Sequence, residues 1–291
     1  MVEPHELDRF VNPGAVVVDG DGVFHMFRNS FLRYPGTSVT WHLTSLDGVE
    51  WTVVGEAPVM TSEQVTYADG NVFVFAAYVT DDGTWVGFFD TFDGTGEPGF
   101  IGRMTAPGPD GPWVVDPQPV LEPGPEGAWD ADRVSEPSLI IDGGELVMFY
   151  TGAASRTSAI GRATSLDGLV WTKHDDPLTT EPLLAESDPV LEPPDWAARS
   201  VAGAQVVRSD TEWRMLFHAP RTFDVGLATS ADGVEWTTGT AFTDASELPT
   251  GTETYQSELL LTDGEYLWWQ EVGKGSSRTA VYALSLPEDA W

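Results

Sequence analysis

A seven-residue signature recurs through this chain at near-constant spacing, and it leaves few architectures open. The clearest copies are Ser45-Leu46-Asp47-Gly48-Val49-Glu50-Trp51, Ser165-Leu166-Asp167-Gly168-Leu169-Val170-Trp171 and Ser230-Ala231-Asp232-Gly233-Val234-Glu235-Trp236. A degraded copy ends Asp110-Gly111-Pro112-Trp113, and a last one reads Ser285-Leu286-Pro287-Glu288-Asp289-Ala290-Trp291. The five tryptophans are 62, 58, 65 and 55 residues apart. Self-similarity at such a period marks one supersecondary unit repeated. Asp-Gly is a strong hairpin turn, because Gly takes positive φ without steric cost. The Ser hydroxyl caps that turn, and the Trp lands early on the outgoing strand, where a large ring fills the gap between sheets.

Each unit opens with an apolar strand, an Asp-Gly-like turn and an aromatic-rich strand, as in Leu139-Ile140-Ile141-Asp142-Gly143-Gly144 leading into Leu146-Val147-Met148-Phe149-Tyr150. Short strands with turn signals every 8–12 residues and no helical periodicity point to an all-β fold. The expected architecture is a five-bladed β-propeller, with four-stranded antiparallel blades around a central channel. Such a ring cannot be divided without exposing blade faces, so residues 1–291 read as a single domain. Its blades fall near 10–57, 58–121, 122–192, 193–247 and 248–291, and residues 1–9 are the available source of a closing strand.

Composition bounds the setting. The formal charge is -32, from 46 acidic and 14 basic residues. Such a chain is repelled by nucleic acid and by anionic membranes, which excludes both as partners. Two causes of the acidity stay open: a high-salt cytoplasm whose ions screen self-repulsion, as in a halophile, or a GC-rich genome that favours Arg over Lys. There is no Cys, hence no disulfide or zinc–thiolate site. No basic region precedes an apolar run at the start, so no signal peptide is read, and no stretch is long enough to span a bilayer. The expectation is a cytoplasmic protein. No metal-ligand spacing is present, and neither a metal nor a cofactor is expected. Oligomeric state is not readable.

Aligning the five units on their opening strands places one residue of each at the edge of the channel. These are Asn12, Glu63, Glu136, Gly203 (with Gln205 close behind) and Glu258. Three carboxylates then converge on one mouth. In an apolar-walled pocket such groups push each other's titration apart, giving one acid and one base, the requirement for splitting a glycosidic bond. The plain alternative is that some of these are solvated edge residues, in a chain with 46 acids. Glu136 is the strongest, because it precedes Pro137 and an unbroken apolar strand, where an unpaired charge is costly.

The run Trp129-Asp130, Ser135-Glu136-Pro137-Ser138, Met148-Phe149-Tyr150-Thr151-Gly152, Ile160-Gly161 and Ala163-Thr164-Ser165-Leu166-Asp167-Gly168 with Trp171 resembles the five-bladed propeller glycosidases. That superfamily includes glycoside hydrolase families 32, 43, 62, 68 and 130. The resemblance covers all five blades and is more specific for fold than for reaction. It implies that Glu136 is the general acid and Glu63 the middle carboxylate. Families 32 and 43 carry Asp in an Asp-Pro motif on the first blade, where this chain has Asn12-Pro13-Gly14, and an amide is neither nucleophile nor base. Family 130 has a similar Asn-Pro-Gly opening followed by an Arg, as Arg28 here, and its phosphorolytic members need one catalytic acid. Arg28, Arg133, Arg199 and His218 are then the available phosphate partners. A propeller that has lost its base and only binds sugar is the third option.

Asn12 and Glu258 are expected to bind hydroxyls or position water. Trp129, Trp196 and Trp269 suit sugar stacking, although twelve Trp in a repeat protein are mostly blade filler. His25 reads as packed, His218 as the better pocket candidate. Asp130 and Asp132 enter blade 3 as orienting or simply solvated groups. The reading is a glycoside hydrolase-like enzyme acting on oligosaccharides, with a glycoside phosphorylase or a non-catalytic carbohydrate-binding propeller as alternatives.

Overall fold

The computed structural model describes residues 9–31, 37–68, 70–91, 98–178, 187–241, 253–262, 265–273 and 278–285. The end of the last signature, the Asp263-Gly264 turn and most of the expected closing strand lie outside them. Five antiparallel sheets form the blades of a propeller. Blade 1 comprises β1 (Phe10–Val18), β2 (Phe24–Phe31), β3 (Ser38–Ser45) and β4 (Thr52–Val53), with β5 (Met60–Thr61) added on β3. Blade 2 comprises β6 (Phe73–Val79), β7 (Trp85–Asp90), β8 (Ile101–Ala106) and β9 (Val114–Val115). Blade 3 comprises β10 (Arg133–Asp142), β11 (Glu145–Ala154), β12 (Thr157–Ser165) and β13 (Thr172–Lys173), with β14 (Pro189–Leu191) added on β12. Blade 4 comprises β15 (Ala202–Arg208), β16 (Trp213–Ala219), β17 (Asp224–Ser230) and β18 (Trp236–Thr238). Blade 5 has three described strands, β19 (Glu253–Thr262), β20 (Glu265–Gly273) and β21 (Ala280–Ser285). Residues 60–61, expected in blade 2, thus pair back onto blade 1. Among the described residues no helix is long and apolar enough to cross a membrane.

The signature does what its chemistry requires. Ser45 Oγ accepts the Gly48 N–H (2.9 Å), and Asp47 Oδ1 accepts the Val49 and Glu50 N–H groups (both 2.9 Å). The same bonds recur around Ser165 and Ser230. Gly48, Gly168 and Gly233 take φ of 72°, 72° and 76°, which only glycine adopts cheaply. Each of the four described signature Trp residues then meets an aromatic ring of the preceding blade edge-on. Trp113 packs on Phe27, Trp171 on Phe88, Trp236 on Phe149, and Trp51 on Trp269 of blade 5, with centroids 5.5–6.0 Å apart. The period in the sequence is therefore the period of the seams.

The core is divided accordingly into five apolar clusters, each lying between two neighbouring blades. The last seam, between blades 5 and 1, carries its own hydrogen bonds. Trp269 Nε1 donates to Gly48 O (2.8 Å), and Thr279 Oγ1 accepts the Val11 N–H (2.8 Å). Around the channel the inner strands pack in a closed ring: β1 on β6 and β19, β10 on β6 and β15, β15 on β19.

Polar bridges are rarer and correspondingly committed. Asn29 is fully buried between blades 1 and 2. Its Nδ2 donates to Asn12 Oδ1 and to Val74 O (both 2.8 Å), and its Oδ1 accepts from Thr40 Oγ1 and the Val74 N–H (both 2.9 Å). Asn29→Ala strands both backbone groups of Val74 in a dry seam, so the unfolding free energy should fall by about 3 kcal/mol. Equilibrium denaturation of the two proteins measures this, and a change within error would show that water replaces the amide.

Candidate functional site

The five inner strands run in the same direction, so their N-terminal ends gather at one mouth of the channel and their C-terminal ends at the other. The first mouth is a funnel of about 630 Å³ lined by Asn12, Asp90, Arg133, Glu136, His218 and Glu271 among others. The far mouth, of about 530 Å³, is lined by Val16, Ser138, Gln205, Glu258 and their neighbours.

A bulge near the start of the inner strands builds the funnel floor. Pairing slips between Asn12 and Ala15, Val74 and Ala76, Ser135 and Ser138, Ala202 and Gln205, and Thr254 and Ser257. Such bulges re-aim side chains next to active sites. In blade 3 the bulged residue is Glu136, at φ 53°, and in blade 4 it is Gly203, at φ 58°. The left-handed region is uncommon for a residue with a Cβ, so the Glu136 backbone is held from outside. Its N–H donates to Asp90 Oδ2 (2.9 Å). Its Oε2 accepts from Thr151 Oγ1 (2.6 Å) and the Gly203 N–H (2.9 Å), and its Oε1 accepts from Gln256 Nε2. Blades 2, 3, 4 and 5 thus each supply one contact. Gly203 is required for a further reason: a Cβ there would lie 2.7 Å from the His218 ring.

The register also corrects the alignment on which the sequence reading rested. Asn12 is equivalent to Ser135, not to Glu136, whose counterparts are Pro13, Gly203 and Tyr255. Asn12 still lines the funnel, with its Oδ1 committed to Asn29. Glu258 lies beyond the bulge and falls, with Gln205, at the far mouth. There burial holds the Glu258 carboxyl well above the usual carboxylate range, opposed by a bond from the Val16 N–H (3.3 Å). Glu63 sits exposed on the 3-10 helix Ser62–Gln64 ahead of β6 and lines neither mouth. Arg28 is fully buried in blade 1, and it too lines neither mouth. Asp132 is exposed and caps the Ser155 N–H (2.8 Å). Trp129 is a strut: it stacks on Tyr150 (5.9 Å), as Tyr67 does on Phe89 (6.4 Å) and Trp196 on Phe217 (5.7 Å). The repetition shows that this stack belongs to the blade.

Of the expected site residues, the funnel therefore brings together Asn12, Arg133, Glu136 and His218. It adds two carboxyls that the sequence reading missed. Asp90 ends β7 at the funnel floor, and Glu271 lies on β20. Burial pushes the Glu271 carboxyl up to about 8, although bonds from the Thr279 side chain and the Gln256 backbone oppose it. His218 is also buried, which lowers its titration, with the nearby Glu136 charge acting in the opposite sense and Arg133 reinforcing the shift. Burial raises the Tyr255 hydroxyl, with Glu253 adding to the effect. Phe10 and Phe31 (5.2 Å), Phe31 and Phe73 (5.3 Å), and Phe73 and Phe75 (6.2 Å) form a continuous aromatic wall at the seam of blades 1 and 2, beside Asp90, whose cross-strand partner is Phe73. Among the described residues no group of three or more His, Asp or Glu is arranged to hold a metal ion.

The architecture is that of the five-bladed propeller glycoside hydrolases. A β-xylosidase/α-arabinofuranosidase of family 43 from a compost microbial metagenome, in complex with xylotriose, aligns over 99% of this chain and 94% of its own, with a TM-score of 0.72 and 13% identity. A thermostable family-43 glycoside hydrolase aligns over 98% and 93%, at 0.70 and 14%. A family 117 glycoside hydrolase of the marine bacterium Zobellia galactanivorans aligns over 97% and 86%, at 0.66 and 17%. At these identities the likeness is one of fold. No protein-family model matches the sequence, and no curated protein does.

The raised carboxyls make stability depend on pH with a definite sign. A folded-state value above the unfolded one means that the native protein holds the proton more tightly, so this contribution is complete at low pH and is lost as pH rises through the folded value. For Glu271 the window runs from 4.5 to about 8. Relative to the parent, Glu271→Gln should therefore gain stability steadily across that window, and Glu258→Gln should gain it in the same direction as pH rises above the ordinary carboxylate range. Thermal unfolding at a series of pH values tests this, and parallel curves for all three proteins would show that both groups are solvated.

Proposed function

We propose that this chain is a glycoside-active enzyme that cleaves glycosidic bonds of an oligosaccharide held in the funnel. The observation that carries the reading is the mixed lining. The funnel is lined by the phenylalanines of blades 1 and 2 and by a set of carboxyls with Arg133, His218 and Gln256. A sugar ring has an apolar face and a rim of hydroxyls, and this site offers a surface for each. The fold relatives, named as glycoside hydrolases and in one instance bound to xylotriose, support it.

The chemistry needs one group that gives a proton and one that takes it. Glu136, expected from the family resemblance to be the donor, has three partners that all donate to it, the bonding of an acceptor carboxylate. Glu271 is the carboxyl that burial keeps protonated at neutral pH. In our reading Glu271 protonates the leaving oxygen. Glu136 takes a proton from the attacking water, or attacks the anomeric carbon itself. Asp90 fixes Glu136 through its backbone. Asn12 supplies no base, since an amide takes no proton and its oxygen is already bonded.

A panel of oligosaccharides and aryl glycosides, assayed with and without phosphate, tests this reading. Turnover should fall by about three orders of magnitude in Glu136→Gln and in Glu271→Gln, and parent activity should decline as pH rises through about 8, where Glu271 loses its proton. Strict dependence on phosphate would reassign the enzyme as a phosphorylase. Sugar binding without turnover, undiminished in Glu136→Gln, would make it a binding propeller.

A further inference from the structure

Six non-glycine residues among those described have left-handed backbone, and Phe223 is the only aromatic one, at φ 60°. A bulky residue in this region is a genuine outlier. Phe223 ends the turn 220–223 between β16 and β17, on the funnel rim, and the residue stays 38% exposed. The turn is over-determined. The Phe223 N–H donates to Ala219 O (2.9 Å), Thr254 Oγ1 of blade 5 donates to Phe223 O (2.6 Å), and the ring meets Tyr255 edge-on at 5.6 Å.

Gly or Asn adopts the same backbone at lower cost, yet the chain keeps here an aromatic residue that is partly exposed at the funnel. Strained backbone clusters at ligand sites, and of the six such residues Phe223 and Glu136 are the two that line the funnel. The position adds a direction. In a ring of five, blade 4 stands opposite the seam of blades 1 and 2, which carries the Phe31–Phe73 wall. The rim is low beside it, since blade 3 turns there through only Ser155 and Arg156.

We propose that Phe223 is a stacking platform for a neutral sugar ring at the funnel rim, one unit outward from the ring on the phenylalanine wall, and so selects which oligosaccharide is accepted. This rests on the glycoside reading above. The ligand class is a pyranose or furanose with an uninterrupted apolar face, as part of a chain of at least two units.

The test is titration calorimetry of xylotriose, arabinotriose and galactotriose against the parent, Phe223→Asn, Phe223→Trp and Glu136→Gln, with thermal unfolding of each. Asn accepts left-handed backbone but offers no ring. For whichever trisaccharide the parent binds, Phe223→Asn should weaken binding about tenfold with an unchanged or higher thermal midpoint, and Phe223→Trp should restore it. Unaltered affinity in Phe223→Asn, or a lowered midpoint without loss of affinity, would overturn the proposal and leave the glycoside reading intact. A parent that binds none of the three at millimolar sugar would overturn both.

Discussion

Everything in this molecule depends on an edge-on contact between a tryptophan and an aromatic ring one blade back. Each blade is a small sheet that cannot bury two faces by itself. The Ser-x-Asp-Gly turn fixes where the strand restarts, and the Trp that follows reaches across the seam to Phe27, Phe88, Phe149 or Trp269. Because Trp51 of the first blade uses Trp269 of the last, the same contact that builds the array also helps to close it.

The site is the product of that closure combined with a local fault in the strands. Bulges near the strand starts lift backbone and side chains out of the ladder at the funnel mouth. Where the lifted residue is Gly203, its amide is free to face Glu136, and where it is Glu136, a carboxylate is presented to the channel. Burial then separates the carboxyls in character. Glu271, on β20, is desolvated beside Thr279 and Gln256, whereas Glu136 is ringed by donors.

The sequence carried much of this openly. Recurrent tryptophans and Asp-Gly turns made the five blades legible, because turn and wedge chemistry are local. Glu136 was legible as a charge inserted before an unbroken apolar strand. The rest was hidden by register. Ser257-Glu258 reads like Ser135-Glu136, but Ser135 stands where Thr254 does, so Glu258 lies three residues further along its strand and falls at the opposite mouth. A short helix displaces it between strands, which is why Glu63 lies outside the channel. Asp90 and Glu271 escaped because they stand on second strands, although each gives a signal: an acid that ends or interrupts a buried aromatic run, Phe88-Phe89-Asp90 and Trp268-Trp269-Gln270-Glu271, is costly without a partner.

One consequence concerns the number of blades. Propellers are built by duplication, and blade packing alone tolerates several ring sizes. Glu136, however, is gripped by Asp90, Thr151, Gly203 and Gln256 from four successive blades, all across one narrow channel. A ring of four would crowd those partners together, and a ring of six would draw them out of reach of a single residue. The circumference of this protein is thus matched to the reach of Glu136, backbone and side chain together, and the gain or loss of a blade would dissolve this cluster before it unsettled the fold.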